Sequence, residues 1–134
     1  MSVAVSLDRL REEAAGRGQA YLLTVGSDGR PHSVSVLVAW AGDTLVMAPG
    51  NRSVANAGER PLVSLLWPPA ERGGFSLIVD ATVTSATGDG AGGNEVVVTP
   101  TRAVLHRPAE PGSAGSAGSE CAPVYSSSDG AAAT

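Results

Sequence analysis

The alternation of apolar and polar residues divides the first hundred positions into short, regularly spaced segments. Leu7, Leu10 and Ala14 recur at helical spacing behind Ser6, a plausible N-cap, and stop at Gly16-Arg17-Gly18, which predicts an N-terminal helix. The period then changes. Tyr21 to Val25 is a compact apolar run closed by Ser27-Asp28-Gly29, a strong turn signal. From His32 to Trp40 the chain alternates, with His32, Val34, Val36 and Val38 on one face and Ser33, Ser35, Leu37 and Ala39 on the other. Gly42-Asp43 turns it into a third strand, Thr44 to Ala48. Pro49-Gly50-Asn51 reads as a loop, and Arg52 to Glu59 as a short helix ended by Arg60-Pro61. Leu62 to Trp67 is a buried strand stopped by Pro68-Pro69, and Phe75 to Ser85 is another. After the glycine-rich loop 88–93, Glu95 to Arg107 is the last strand, with Pro100 at a bulge or bend. Six strands, one leading helix and one internal helix predict a mainly β domain that closes as a barrel.

Composition changes this picture at the C-terminus. Of the 27 residues in 108–134, 20 are Gly, Ser, Ala or Pro, too few apolar groups to offset the entropy of ordering them. The expected division is a folded domain at 1–107 and a flexible tail at 108–134, in which Pro123-Val124-Tyr125 is the one patch able to dock. The single cysteine, Cys121, falls in the tail and reads as a free surface thiol.

Charge and motifs mainly exclude. A net charge of −4 with 16% charged residues argues against nucleic-acid binding, which needs a basic stripe. No apolar run approaches the roughly 20 residues of a membrane span, and no basic-then-apolar leader opens the chain, so a cytoplasmic setting is expected. His32 and His106 lack metal-ligand spacing, no Gly-x-Ser-x-Gly elbow supplies a nucleophile, and the glycine loop lacks the lysine of a phosphate loop. Glu12 and Glu13 read as a solvated helix face. All nine basic residues are arginine, a bias that fits a GC-rich coding genome. Any anion held by a charged side chain must therefore be held by arginine.

The segment Pro49-Gly50-Asn51-Arg52-Ser53-Val54-Ala55-Asn56 carries the strongest chemistry. A glycine turn feeding a helix start presents open N–H groups at the positive end of the helix dipole. An arginine fork and a serine hydroxyl beside them can hold a phosphate. The alternative is that Asn51 or Ser53 merely caps the helix while Arg52 is solvated.

The order of these pieces resembles the pyridoxamine 5′-phosphate oxidase-like family of FMN-binding split β-barrels, over about residues 5–107. The resemblance rests on Tyr21 to Val25 followed by Asp28-Gly29-Arg30-Pro31-His32, on Gly50 to Asn56, on Arg60-Pro61-Leu62-Val63-Ser64-Leu65-Leu66-Trp67-Pro68, and on Thr99 to Val104. It implies a six-stranded split β-barrel of Greek-key type that pairs as a homodimer, with flavin clefts at the interface and a small-molecule substrate. It also implies cofactor-binding roles. Arg52 matches the arginine beside the flavin phosphate, Ser53 stands where many relatives have a phosphate lysine, and Asn51 joins them. His32, Ser33 and Ser35 would run past the ribityl chain and ring, and Trp67 matches an aromatic position at a strand end. The resemblance thus points to an FMN-dependent oxidoreductase. Two alternatives share the fold: a reductase using an 8-hydroxy-5-deazaflavin coenzyme, whose polyglutamate tail would suit a groove of Arg30, Arg52 and Arg60, and a non-enzymatic dimer that has lost its cofactor. The Gly/Ala/Ser tail replaces the substrate-binding extension of true pyridoxamine phosphate oxidases, so vitamin B6 oxidation is not expected.

Overall fold

The computed structural model describes residues 1–89 and 93–109. Cys121, the Val124-Tyr125 patch and most of the expected tail lie outside the described residues, as do three residues of the glycine-rich loop. Eight strands and two helices follow in the order β1 (Ser2–Val5), α1 (Leu10–Ala14), β2 (Ala20–Val25), β3 (Pro31–Val36), β4 (Ala39–Ala41), β5 (Thr44–Met47), α2 (Asn51–Glu59), β6 (Leu62–Trp67), β7 (Ser76–Thr87) and β8 (Glu95–His106). The leading helix is short: a 3-10 turn at Leu7–Arg9 runs into α1, and Ser6 makes no side-chain cap.

All strands belong to one antiparallel sheet, ordered β3-β2-β6-β7-β8-β5-β4. β8 is its hub. One edge pairs with β7 along its length, and the other pairs with β5 at Val96–Val98 and with β1 at Ala103–His106. The two ends of the sheet, β3 and β4, are joined by Leu37 and Val38 alone. The three Cα steps from Val36 to Ala39 reach at most about 11 Å, so the sheet must curl until its two edge strands come close. The barrel is therefore closed by the covalent chain; among the described residues no ladder joins β3 to β4.

The strand count exceeds the expected six for two reasons. β1 is only four residues long and mostly exposed, too short a run to mark a strand by itself; backbone pairing to the far end of β8 creates it. The run His32 to Trp40 keeps its two faces throughout, but its pairing stops at Leu37, which is 72% exposed where the chain crosses between edges. Pro100 does adjoin a bulge. Thr101 is the extra residue opposite Asp80 and Ala81, and a second shift falls between Val83 and Ser85. At each bulge a threonine hydroxyl donates across the ladder, Thr101 Oγ1 to Asp80 O and Thr84 Oγ1 to Val97 O.

The hairpin between β2 and β3 shows how local sequence sets geometry. Gly29 sits at φ 83°, Asp28 Oδ1 accepts the Arg30 N–H, and Gly26 donates to Arg30 O. Inside the barrel, Leu22, Leu45, Leu65, Leu77, Val79, Val96 and Val98 are fully buried. Each such aliphatic side chain contributes about 1.5–3 kcal/mol. Leu10 of α1 is buried with this core. Behind it, Arg17 donates to the carbonyls of Glu13, Pro68 and Phe75, tying the helix exit to the β6–β7 connection. α2 lies against β2, β7 and β8.

Candidate functional site at the start of α2

α2 begins at Gly50, its N-cap, with φ −74° and ψ 177°. Val54 N–H closes the first turn on Gly50 O. The N–H groups of Asn51, Arg52 and Ser53 therefore have no helical acceptor. Among the described residues no side chain caps them, and the first turn contains no acidic residue. Capping by Asn51 or Ser53 does not occur. Asn51 Oδ1 instead accepts a hydrogen bond from Asn94 Nδ2 at 2.9 Å, and the same nitrogen donates to Pro49 O at 3.0 Å.

The two other residues of the turn are left unmatched. The Arg52 side chain is exposed and makes no hydrogen bond or ion pair among the described residues. Ser53 is only 1% exposed, and its Oγ has no hydrogen-bond partner among them. A buried hydroxyl without a partner is costly. The remaining inward residues of α2 are satisfied: Asn56, also buried, donates from Nδ2 to Thr24 Oγ1 at 3.1 Å. Arg60 Nε donates to Val25 O at 2.6 Å. The helix is thus pinned to β2 at its middle and end, while its first turn is tied to the residue that opens β8.

The other expected cofactor residues are dispersed by the two-residue period of β3. His32 pairs with the buried Thr24 and shares its inward face. Ser33 and Ser35 point the opposite way and are exposed. In the ladder Ser33 stands beside Leu23, then Ser64, Asp80 and Arg102, and Ser35 stands beside Tyr21 and Leu66. Both serines therefore border an outer face that is apolar along β2 and β6, where Tyr21 is 44% and Leu62 73% exposed. Trp67 is 3% exposed and packs in the core. Of the three arginines suited to a basic groove, Arg30 lies near Asp28 and Arg60 contacts Glu59, which leaves Arg52 without an ion-pair partner among the described residues.

Sequence reasoning missed Asn94, Asn56 and Thr24. Thr24 had a signal, since it occupies the inward phase set by Ala20 and Leu22. Asn94 had none, because its partners are more than forty residues away. β2 and β6 pair only from Tyr21–Leu66 to Leu23–Ser64. Beyond that a cavity of about 320 Å³ opens, lined by Thr24, Val25, Pro31, Leu62, Val63 and Asp80 among others. Among the described residues no cluster of three or more His, Cys, Asp or Glu could hold a metal, and no helix is long and apolar enough to cross a membrane.

This architecture is a split β-barrel. Solved structures share the fold at low identity. An F420 reductase superposes with a TM-score of 0.54 at 20% identity, covering 65% of this chain and 89% of its own. An FAD-binding protein from Mycobacterium smegmatis gives 0.60 at 17%, covering 80% and 100%. An FMN-binding protein from Syntrophomonas wolfei gives 0.57 at 13%, covering 76% and 84%. No family model matches the chain. Two curated proteins, Mb0449c of Mycobacterium bovis and MT0457 of Mycobacterium tuberculosis, both uncharacterized, are each 36% identical over 120 residues, spanning 81% of this chain and 84% of theirs. The chain belongs to one family with these mycobacterial proteins, and its barrel shares the fold of the solved structures above.

Proposed function

We propose that the protein is a flavin-dependent oxidoreductase that holds the phosphate of FMN at the first turn of α2. One observation carries the reading: three open N–H donors, an unpaired arginine and a buried unpartnered hydroxyl lie on consecutive residues. That donor set suits a phosphate, which offers three acceptor oxygens and nearly two negative charges. Arg52 supplies the fork, the backbone of Asn51 to Ser53 supplies direction, and the Ser53 hydroxyl stands where relatives use lysine. Asn51 acts through its N–H, since its carboxamide oxygen is engaged by Asn94. A bound flavin would supply hydride transfer, which explains why the described residues need no nucleophile or metal cluster of their own.

The cofactor cleft is proposed to lie between two copies of the chain. The support is the apolar outer face of β2 and β6, with Ser33 and Ser35 along its border as hydrogen-bond partners for a polyhydroxy chain or ring. His32 and Trp67 shape the barrel behind that face. A deazaflavin coenzyme is the second reading, favoured by the likeness to an F420 reductase. Against its polyglutamate tail stands the pairing of Arg30 and Arg60, which thins the basic groove.

The test is titration of purified protein with FMN and with the deazaflavin coenzyme. Arg52→Ala should weaken binding by about 1.5–3 kcal/mol, the worth of a hydrogen bond to a charged group, or roughly 10- to 150-fold. Unchanged affinity would mean the phosphate lies elsewhere. If the protein binds neither coenzyme, both oxidoreductase readings fall.

A further inference from the structure

We infer that Gly50 and Asn94 act together to deny α2 a side-chain cap, so that a phosphomonoester dianion serves as the cap of this helix. The inference rests on the reading of the first turn as a phosphate site and assigns the residues that keep it open.

Nothing in the backbone requires glycine at position 50. Its φ and ψ lie in the extended region that any residue adopts and that N-cap residues normally occupy. A Cβ built there meets nothing within 4 Å. Aspartate, serine or asparagine would therefore fit, would bond the open N–H groups, and would stabilise the helix. Aspartate would add a favourable charge at the positive end of the dipole. Glycine is itself a common N-cap residue and gives up only part of this stability, but it brings no side-chain acceptor and leaves the N–H groups open. The neighbouring carboxamide is also withdrawn, because Asn94 spends one Nδ2 hydrogen on Asn51 Oδ1 and the other on Pro49 O.

The rest of the turn shows the same preference. Ser53 carries the last of the three open N–H groups, and its Oγ is buried without a partner. Arg52 between them has no carboxylate to pair with among the described residues. Among the described residues no side chain caps the turn, although Asn94 Oδ1 is a buried acceptor without a partner, and the donors of the turn remain open. A ligand with several acceptor oxygens and two charges satisfies this set better than a carboxylate does. The helix is left less stable than it could be until that ligand arrives, a trade of stability for binding often found at functional sites.

Thermal unfolding with inorganic phosphate as the probe tests the inference on the full chain. Phosphate should raise the wild-type Tm. Gly50→Asp should raise Tm by about 2–5 °C without phosphate, from a cap and a dipole contribution together, and should abolish the phosphate-dependent rise. Gly50→Ala, which adds bulk without a cap, should keep that rise, and Gly50→Ser should reduce it. Asn94→Ala should reduce it as well, by freeing Asn51. Comparing FMN with riboflavin isolates the phosphate: Gly50→Asp should weaken FMN at least tenfold and leave riboflavin unchanged. A wild-type Tm indifferent to phosphate, a Gly50→Asp variant no more stable than wild type, or an FMN-to-riboflavin ratio unaffected by the substitution each overturns the inference. If phosphate protects the wild type through Gly50 but no flavin binds, the cofactor reading fails and the anion cap stands. If FMN binds and ignores Gly50→Asp, the cap fails and the cofactor reading stands.

Discussion

The bond from Asn56 Nδ2 to Thr24 Oγ1 is the contact through which the middle of α2 is anchored to the barrel wall, and its worth can be worked out. The partners are 6% and 1% exposed, and the bond is 3.1 Å long. Thr24→Val removes the acceptor and leaves a buried amide hydrogen unmatched. Asn56→Leu removes the donor and leaves the Thr24 hydroxyl beside an aliphatic chain. Each change should cost about 1–3 kcal/mol, because an unsatisfied buried partner loses its full hydration. Replacing both makes the contact apolar at similar volume, so the double variant should cost little more than one single. The expected coupling is about 1–2 kcal/mol. For a domain of this size each kcal/mol corresponds to roughly 4–8 °C in Tm. Circular dichroism melts and urea titrations of the four proteins give the cycle. If the single effects add to within about 0.3–0.5 kcal/mol, the bond contributes nothing and α2 is held by other contacts.

Two further predictions concern what the site is built on. Arg17→Met removes a part-buried guanidinium that serves three carbonyls; a loss of about 1.5–3 kcal/mol is expected, with faster proteolysis within 68–75, and an unchanged melt with unchanged proteolysis would refute it. Leu62→Asp places a charge on the outer face where Leu62 is 73% exposed; sizing chromatography should show a wild-type dimer and a monomeric variant, and a monomeric wild type at micromolar concentration would end the dimer proposal.

Legibility in the sequence followed the range of the interactions involved. β6 lies where its apolar run and flanking prolines place it, and α2 starts within one residue of expectation, because both depend on nearby residues. The faces of β3 were also readable, since alternation is local. That alternation already separated His32 from Ser33 and Ser35, although resemblance grouped all three around one cofactor. β1 was not readable: its residues are ordinary, and its partner is the far end of β8. The same holds at the candidate site. The glycine turn and arginine marked it, but the fate of Asn51 is decided by Asn94, which lies across a glycine-rich loop and in a different strand context. Trp67 likewise has a side chain that suits a ring-stacking role, but the inward phase of β6 commits it to the core.

The hub position of β8 sets the order in which the protein can be made. β1, β5 and β7 each wait for the same partner, and the pairing of Ser2 with His106 spans nearly the whole barrel. During synthesis β2, β3 and β6 can assemble early and β4 can pair with β5, but β1 stays unpaired and one edge of β5 stays open until the last strand emerges. Such long-range closure slows folding toward the millisecond-to-second range of barrels. It also leaves apolar strand edges open to other chains in the meantime. Yield in the cell should then depend more on the capacity of chaperones to shield the nascent chain than on the stability of the finished barrel.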